Sequence, residues 1–588
     1  MNRRSLSLRP EILIYVVLLA GAALLRCARL DWPPLDDAEA GHALAAAAQA
    51  GSIARDAGRP EDPVPLAPSY HALTALLFEI VPANDASARV VPSLVGLALV
   101  LMPLLLRGTI GAVPALLATA LLALSPLLVT ASRTAGGLPL SLAGAALAIA
   151  ILLGRKAERG AAARLWAAAG VGLMIASGPS ALGGLLGIVL AFAAARLIWR
   201  DLTLPGWGET GARKWGFALV ALLAAVAVSS GFGFFPSGLP GISRSLTAWL
   251  TGWATPGPVR GLTLLLGLPI YDPLLLVFGI AGGVMALRAR ETWGRLAAAW
   301  FLGALVAALI YPSRQVSDLA WAVLPLAFLS ARAIAALIEA VGRHGSWQGH
   351  GALIFVLLLL GGMGLMEVGA YASGIGPGIR SGEPNLSLAL AALALFLGFV
   401  IIVLFGMGWS WPTAFEGAGL ASLVMLLVLD VSAVWSLNLR LTAAGANELW
   451  RPQATPRSLS AVVETVERIS QSRIGRTDSL PIQILTEPTP SLAWALRRFP
   501  EAPTGEGEIA PEIVLAREGT DLSGLRADYV GQRVIIGEVW GWDGVLPPDP
   551  ITWWSHHEGP AVLDPWLLLV RVDVATLGGL SDLPEASP

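Results

Sequence analysis

"MNRRSLSLRPEILIYVVLLAGAALL", residues 1–25, decides the class of fold. Arg3, Arg4 and Arg9 stand before a long apolar run. A secretory signal opens in the same way, but its apolar core is short and ends at a small-residue cleavage site. No such site follows here, and many similar runs come later, so the segment reads as a retained first membrane span. The composition agrees. Of 588 residues, 55% are hydrophobic and 14% charged, against about a quarter charged in ordinary soluble domains. Mean hydropathy is +0.68. Such a chain must hide apolar surface in lipid, where only helices or closed barrels satisfy their own backbone. The runs are continuous and rich in Leu and Ala instead of alternating. The fold class is therefore mainly α, a polytopic membrane helical bundle.

Working outward, apolar runs begin near Glu11, Arg89, Val113, Leu138, Leu165, Ala181, Trp215, Leu262, Leu296, Leu319, Ala352, Leu386 and Gly417. That is about thirteen helices of roughly 17–25 residues, the length a bilayer requires. Ser177-Gly178-Pro179 marks a tight hairpin between two of them. Basic residues fall in alternate short loops: Arg107; Arg155, Lys156, Arg159 and Arg164; Arg200, Arg213 and Lys214; Arg288, Arg290 and Arg295; Arg343. The positive-inside rule then puts the N-terminus in the cytoplasm. The segments 30–88 and 235–261 and the tail fall outside it. The expected location is a plasma membrane, multi-pass, in a prokaryotic cell.

The tail, 437–588, is set apart from the membrane domain, 1–436, by lost apolar runs and added charge and proline. "SLSAVVETVERIS" and "SLAWALRRF" predict helices; "PIQILTE", "EIVLA", "RVIIGEVWGW" and "LLLVRVDV" predict strands. This is a small extracytoplasmic α/β domain. Net charge is −2 and no basic stripe appears, which excludes nucleic acid as a partner. The single cysteine, Cys27, excludes an intrachain disulfide and a Cys-cluster metal site.

The chemistry-bearing stretch is "PPLDDAEAGHALAAAAQAG", residues 33–51. Pro33 and Pro34 end the first span, and a helix can start at Asp37. On it Asp36, Glu39 and His42 recur every three residues and share a face, opposite alanines. That suits a short helix at the membrane surface with one polar face. Two readings of these acids stand side by side. Asp36 or Asp37 can cap the helix, with Glu39 completing a capping-box-like pair. The same carboxylates at a membrane surface can also act on a substrate. A proline-rich loop containing Asp62 then leads through Tyr70 and His71 into a second apolar segment.

The order of three further segments adds a resemblance. "SYHALTALLFEIVPANDASARVVPSLVGLALVLMPLLLR", "ALLATALLALSPLLVTASRTAGG" and "YPSRQVSDLAWAVLPLAFLSARA" follow the acidic loop, and "PSLAWALRRFP" stands in the tail. The whole resembles the GT-C membrane glycosyltransferases, in particular the family 39-like group of protein O-mannosyltransferases and aminoarabinose transferases. The likeness covers most of residues 1–340 and, more weakly, the tail. It implies transfer of a sugar from a polyprenyl-phosphate-linked donor, at the outer membrane face, to a glycan, lipid or protein acceptor. A first-loop carboxylate would be the general base, and cationic donors would stabilise the leaving phosphate. Partners are then membrane lipids, the lipid-linked sugar and the acceptor.

On that resemblance Asp36, Asp37 and Glu39 are catalytic candidates. His42, Asp62, Tyr70, His71, Arg133 and Arg314 are candidates for substrate binding. Two positions depart from the family. Its adjacent Asp-Glu pair would place Asp on Ala38, whereas this chain has Asp37 and Asp36. A helix turns about 100° per residue, so that shift redirects the side chain. After Ser132 and Arg133, where the family carries an acid, stand Gly136, Gly137 and Leu138. A catalytically impaired scaffold or glycolipid-binding subunit is the alternative. A transporter is disfavoured by the few mid-span ionisable residues. Arg89 reads as a span-start residue that caps or snorkels, with phosphate contact as the other reading. Asp272, Glu367 and Asp430 lie in or near apolar runs. His556, His557 and Glu558 lack metal-site spacing and read as a solvated loop. No cofactor motif is present, and a divalent metal stays open.

Overall fold

The computed structural model describes residues 10–51, 66–154, 161–200, 211–257, 259–344, 347–374, 385–439, 448–451, 453–500, 510–556 and 559–577. Asp62, His557 and Glu558 lie outside them.

The membrane domain opens with α1 (Pro10–Cys27), then two short helices, α2 (Asp37–Gln49) and α3 (Pro68–Phe78). The bundle continues through α4 (Asp85–Val100), α5 (Met102–Ile110), α6 (Ala112–Leu124), α7 (Pro126–Ser132), α8 (Leu138–Leu153), α9 (Ala161–Ile175) and α10 (Pro179–Ile198). Next are α11 (Gly211–Ser229), α12 (Pro240–Thr251), α13 (Gly261–Tyr271), α14 (Pro273–Arg288) and α15 (Thr292–Ile310). It ends with α16 (Ala320–His344), α17 (Trp347–Ser373), α18 (Asn385–Gly408) and α19 (Trp411–Asn438). Among the described residues seven helices are long and apolar enough to cross a membrane, or up to nine if each of two bent pairs is one span. Leu138–Leu153, Ala162–Ile175 and Trp215–Ser229 are shorter apolar helices. Each run start read from the sequence falls in α1 or in one of these segments. The hairpin before α10 is also present, with Gly178 at φ 106°.

Both bent pairs have identifiable causes. α6 and α7 meet at 61° and α13 and α14 at 95°. Pro126 and Pro273 open the second helix of each pair, where proline removes a backbone donor. The carbonyls freed at the first break are taken by Arg26, whose guanidinium donates to Leu122 O at 2.8 Å and Ala123 O at 2.9 Å. Asp272, at the second break, accepts from Ser125 Oγ at 3.0 Å and Leu127 N at 3.3 Å. One buried carboxylate therefore ties the two broken spans together.

The tail forms a five-stranded sheet of order β1-β4-β5-β3-β2. Its strands are β1 (Gln453–Ala454), β2 (Ile482–Ile484), β3 (Ile513–Arg517), β4 (Tyr529–Trp540) and β5 (Ala561–Arg571). β2 and β3 are parallel; the other pairs are antiparallel, with Leu515 opposite Leu568. Helices α20 (Arg457–Ile474), α21 (Pro490–Leu496), α22 (Pro550–His556) and α23 (Val572–Leu577) accompany it. α20 presents Leu459, Val462, Val466 and Ile469 to the sheet core with Ile513, Leu515 and Leu568. One sequence expectation is corrected here. "LLLVRVDV" does not stay extended to its end, because Arg571 pairs with Asp573 at 2.7 Å and the chain turns into α23.

Candidate functional site

The site grows from the loop after α1. Asp36 is the N-cap of α2 in an extended conformation, and its Oδ1 accepts from Glu39 N at 2.9 Å. The cap satisfies one orphan donor of the first turn. Asp36, Glu39 and His42 do share one side of α2, as the spacing predicts. The alanine face is not given to lipid, though. Ala40, Ala43, Ala46 and Ala47 are buried against Tyr70, Phe78, Ala88, Ala135 and Trp494. Small side chains let α3 and α21 close on α2 from this side.

Glu39 is 1% exposed and fully committed. Arg89 Nε donates to its Oε1 at 2.8 Å and Arg89 Nη2 to its Oε2 at 2.5 Å. Ala135 N adds a third bond at 2.7 Å. Arg89 Nη1 reaches Leu30 O at 2.9 Å and Pro33 O at 2.6 Å. Arg89 thus neither snorkels nor caps; it is a buried fork joining α4, the loop and α2. Burial works to raise the Glu39 carboxyl, and Arg89 with the Ala135 N–H overcomes it, so the group sits below its ordinary range.

Asp37 points elsewhere. Its Oδ1 accepts from Ser491 N at 3.1 Å, at the start of α21 in the tail. The docking is completed by Trp494, whose Nε1 donates to Asp85 Oδ1 at 2.7 Å and whose ring stacks on Phe78 at 6.2 Å. Thr455 Oγ1 also donates to Leu35 O at 2.8 Å. The tail is therefore fastened directly onto the acidic loop.

His42 and His71 form a pair, with Nδ1 of His42 2.9 Å from Nε2 of His71. Burial pushes His42 down to about 4, against some raising by Glu39. Burial and the neighbouring His42 hold His71 well below its ordinary value. Both are neutral, one donating to the other. Tyr70 sits edge-on to both rings and donates to Ala88 O at 2.8 Å. Arg133 is spent on α1: Nη1 donates to Leu25 O at 3.1 Å and Ala28 O at 2.6 Å, and Nη2 to Arg29 O at 3.0 Å and Asn438 O at 3.3 Å. Arg314 bonds only Tyr311 O, at 3.0 Å, among the described residues.

What remains is a narrow cleft. It is lined by Pro33, Pro34, Asp36 and Glu39 of the loop, by Ser436 and Leu437 at the end of α19, and by Glu448, Arg451, Ala454 and Thr455 of the first tail segment. Burial and the adjacent Glu39 push Asp36 up to about 6; the Glu39 N–H, Arg451 and Arg89 oppose them. Arg451 is half-buried and its guanidinium donates no hydrogen bond among the described residues. Burial lowers its pKa, with Glu39, Asp36 and Glu448 pulling the other way. Glu448 accepts from Tyr271 Oη at 2.7 Å. Arg451 is not legible in the sequence, since "ELWRPQ" carries no local signal and only the tail's docking brings it to the cleft beside Asp36. The cleft measures about 20 Å³, space for a single water.

Three or more His, Cys, Asp or Glu side chains do not converge to a metal-ligating group among the described residues. His556 bonds Ser555 at 3.0 Å.

Bundle, acidic loop and docked α/β tail together define a multi-pass membrane protein whose small α/β tail is fastened to its first long loop. Among solved structures the chain is similar to the crystal structure of ArnT from Cupriavidus metallidurans in the apo state. The TM-score is 0.56 and the identity 16%, over 96% of this chain and 99% of that one. The same protein bound to undecaprenyl phosphate gives a TM-score of 0.55 and 15% identity, over 96% and 98%. At such identity the likeness establishes the fold. No family model and no curated protein matches the sequence.

Proposed function

We propose that the protein is a glycosyltransferase that moves a sugar from a polyprenyl-phosphate-linked donor to an acceptor at the outer face of the membrane. The observation that carries this reading is the juxtaposition of Asp36 and Arg451 across the cleft. A carboxyl near 6 is mostly carboxylate at pH 7 yet more basic than an ordinary aspartate, as a general base needs to be. A guanidinium that donates no hydrogen bond among the described residues is available for a leaving phosphate. Asp36 removes the acceptor proton as the acceptor attacks the anomeric carbon. The bond from that carbon to the phosphate oxygen breaks, and Arg451 receives the charge that develops there. Glu39 and Arg89 are positioning residues that fix α2, and Asp37 holds the tail. The fold match to a protein crystallised with undecaprenyl phosphate supports the donor class. The chain divides at residues 436 and 437, with the tail outside the cytoplasm. A donor enters when the first tail segment moves off the loop, because the closed cleft is too small for a sugar.

A second reading has its own observation. Glu39, Asp37, Arg89 and Arg133 are all consumed by internal bonds, as a catalytically impaired, glycolipid-binding scaffold would have them. One experiment separates the two. Purified protein is given radiolabelled polyprenyl-phosphate sugars and membrane extract. Transfer that is lost in Asp36→Asn and Arg451→Gln supports the enzyme. Donor binding without turnover in the unaltered protein supports the scaffold and overturns the enzyme.

A further inference from the structure

A second cavity, far larger than the cleft, lies away from the acidic loop. Arg133 at the end of α7 meets the end of α1, which fixes the loop end of the bundle. The cavity lies at the other end, between the last turns of α5, α8, α10 and α16 and the first turns of α6 and α15. Its volume is about 760 Å³, in the range of ligand sites, about 300–1,000 Å³. The deep walls are apolar, with Leu99, Leu122, Ile149, Phe192 and Phe328 among them. Water is poorly held by such walls, and hydrocarbon is what the surrounding bilayer supplies.

The charged groups of the described lining are Glu291, Arg332 and Glu339. Arg332 is held by Glu291 through two bonds, Nε to Oε2 at 2.7 Å and Nη2 to Oε1 at 2.5 Å. That leaves Glu339, which is exposed at the mouth. Among the described lining residues two carboxylates stand against one guanidinium, which disfavours a purely anionic head group and favours one that also carries an ammonium. A second, independent observation points inward. Trp300 lines the chamber, and its Nε1–H is buried without a hydrogen-bond partner among the described residues. A buried donor left unmade is costly, and an ester or phosphate oxygen would satisfy it.

We infer that this chamber binds a zwitterionic aminophospholipid, with an acyl chain in the apolar part, an acceptor oxygen on Trp300 and Arg332, and the ammonium against Glu339. The site is separate from the cleft and its lipid is not the sugar donor.

Full-length protein, stripped of lipid in detergent, is titrated in native mass spectrometry. The probes are dioleoyl phosphatidylethanolamine, dioleoyl phosphatidylglycerol and undecaprenyl phosphate. The ethanolamine lipid is expected to bind about fivefold more tightly than the glycerol lipid, as one surface ion pair of roughly 1 kcal/mol allows. Glu339→Gln, an exposed change that leaves the core intact, is expected to erase that preference. Ala297→Trp, which narrows the chamber, is expected to weaken binding of the ethanolamine lipid at least tenfold while thermal unfolding stays cooperative. Equal binding of the two phospholipids, preference for undecaprenyl phosphate, or a preference unchanged in Glu339→Gln overturns the inference. If Ala297→Trp does not fold, the Glu339 comparison still decides. Sugar transfer is not the readout, so failure here leaves the reading of the cleft untouched.

Discussion

Asp36 and Glu39 stand three residues apart on one turn, yet their surroundings assign them different roles. Glu39 has three internal donors and a charge partner; Asp36 has one backbone donor and faces the cleft. Asp36→Asn is therefore expected to lower transfer by about 10²- to 10⁴-fold, the usual worth of a general base. In the unaltered protein the rate should climb as pH rises through about 6, as Asp36 loses its proton. A flat pH–rate profile in the radiolabelled transfer assay would remove Asp36 from the base role. Arg89→Ala strands a buried carboxylate and should cost about 3–5 kcal/mol. Denaturant unfolding of purified protein in detergent reads that loss. The acids themselves were legible, because three acids and a histidine after a double proline are conspicuous. Their partners were not: Arg89, Ala135, Ser491 and Arg451 lie far along the chain, and pairing across such distances leaves no periodic trace.

At the scale of elements, a tight packing constraint sits where the resembling family carries an acid. A Cβ on Gly137 would lie 2.0 Å from Ser177 O and 3.1 Å from the Ala67 side chain. The close approach of α8 to the hairpin before α10 thus excludes any side chain there. Gly137→Asp should fail to yield folded protein, while Gly136→Ala, which meets only the His42 ring at 3.7 Å, should fold normally. Size-exclusion profiles in detergent distinguish them. The docking of α21 makes a further expectation. Trp494→Ala removes the bond to Asp85 and the stack on Phe78, at about 3–5 kcal/mol for a buried tryptophan. The tail should then become open to limited proteolysis without loss of the bundle. Elements were the most readable level. Apolar runs gave the spans, and the short runs rich in Ile and Val in "EIVLA" and "RVIIGEVWGW" gave β3 and β4. The exceptions are the end of β5, turned by the Arg571–Asp573 pair, and the alanine face of α2. That face reads as surface from composition and is buried because two distant helices cover it.

For the whole molecule, pH acts through opposing groups. His42 and His71 resist protonation when folded, so between about 6.5 and 4 the unfolded chain binds protons that the folded one refuses. Their contribution is lost as pH falls through that window. Glu39, held low, acts in the same direction below 4.5. Asp36 acts oppositely: its contribution is present below 3.8 and is lost as pH rises through about 6. Two histidines and a glutamate outweigh one aspartate. The unfolding midpoint should drop on acidification from pH 7 to 4.5, more shallowly in His71→Gln, and scanning calorimetry at several pH values checks this. The guanidinium of Arg133 carries a different consequence. It closes the carbonyls ending the first span and also bonds Asn438 O at the end of α19. During synthesis the N-terminal segments leave the ribosome first. The first span therefore waits for the seventh helix to seal its end, and that seal is completed only when the last span has been made. A chain truncated before residue 438 would hold its opening helices in the bilayer with the knot at that end untied.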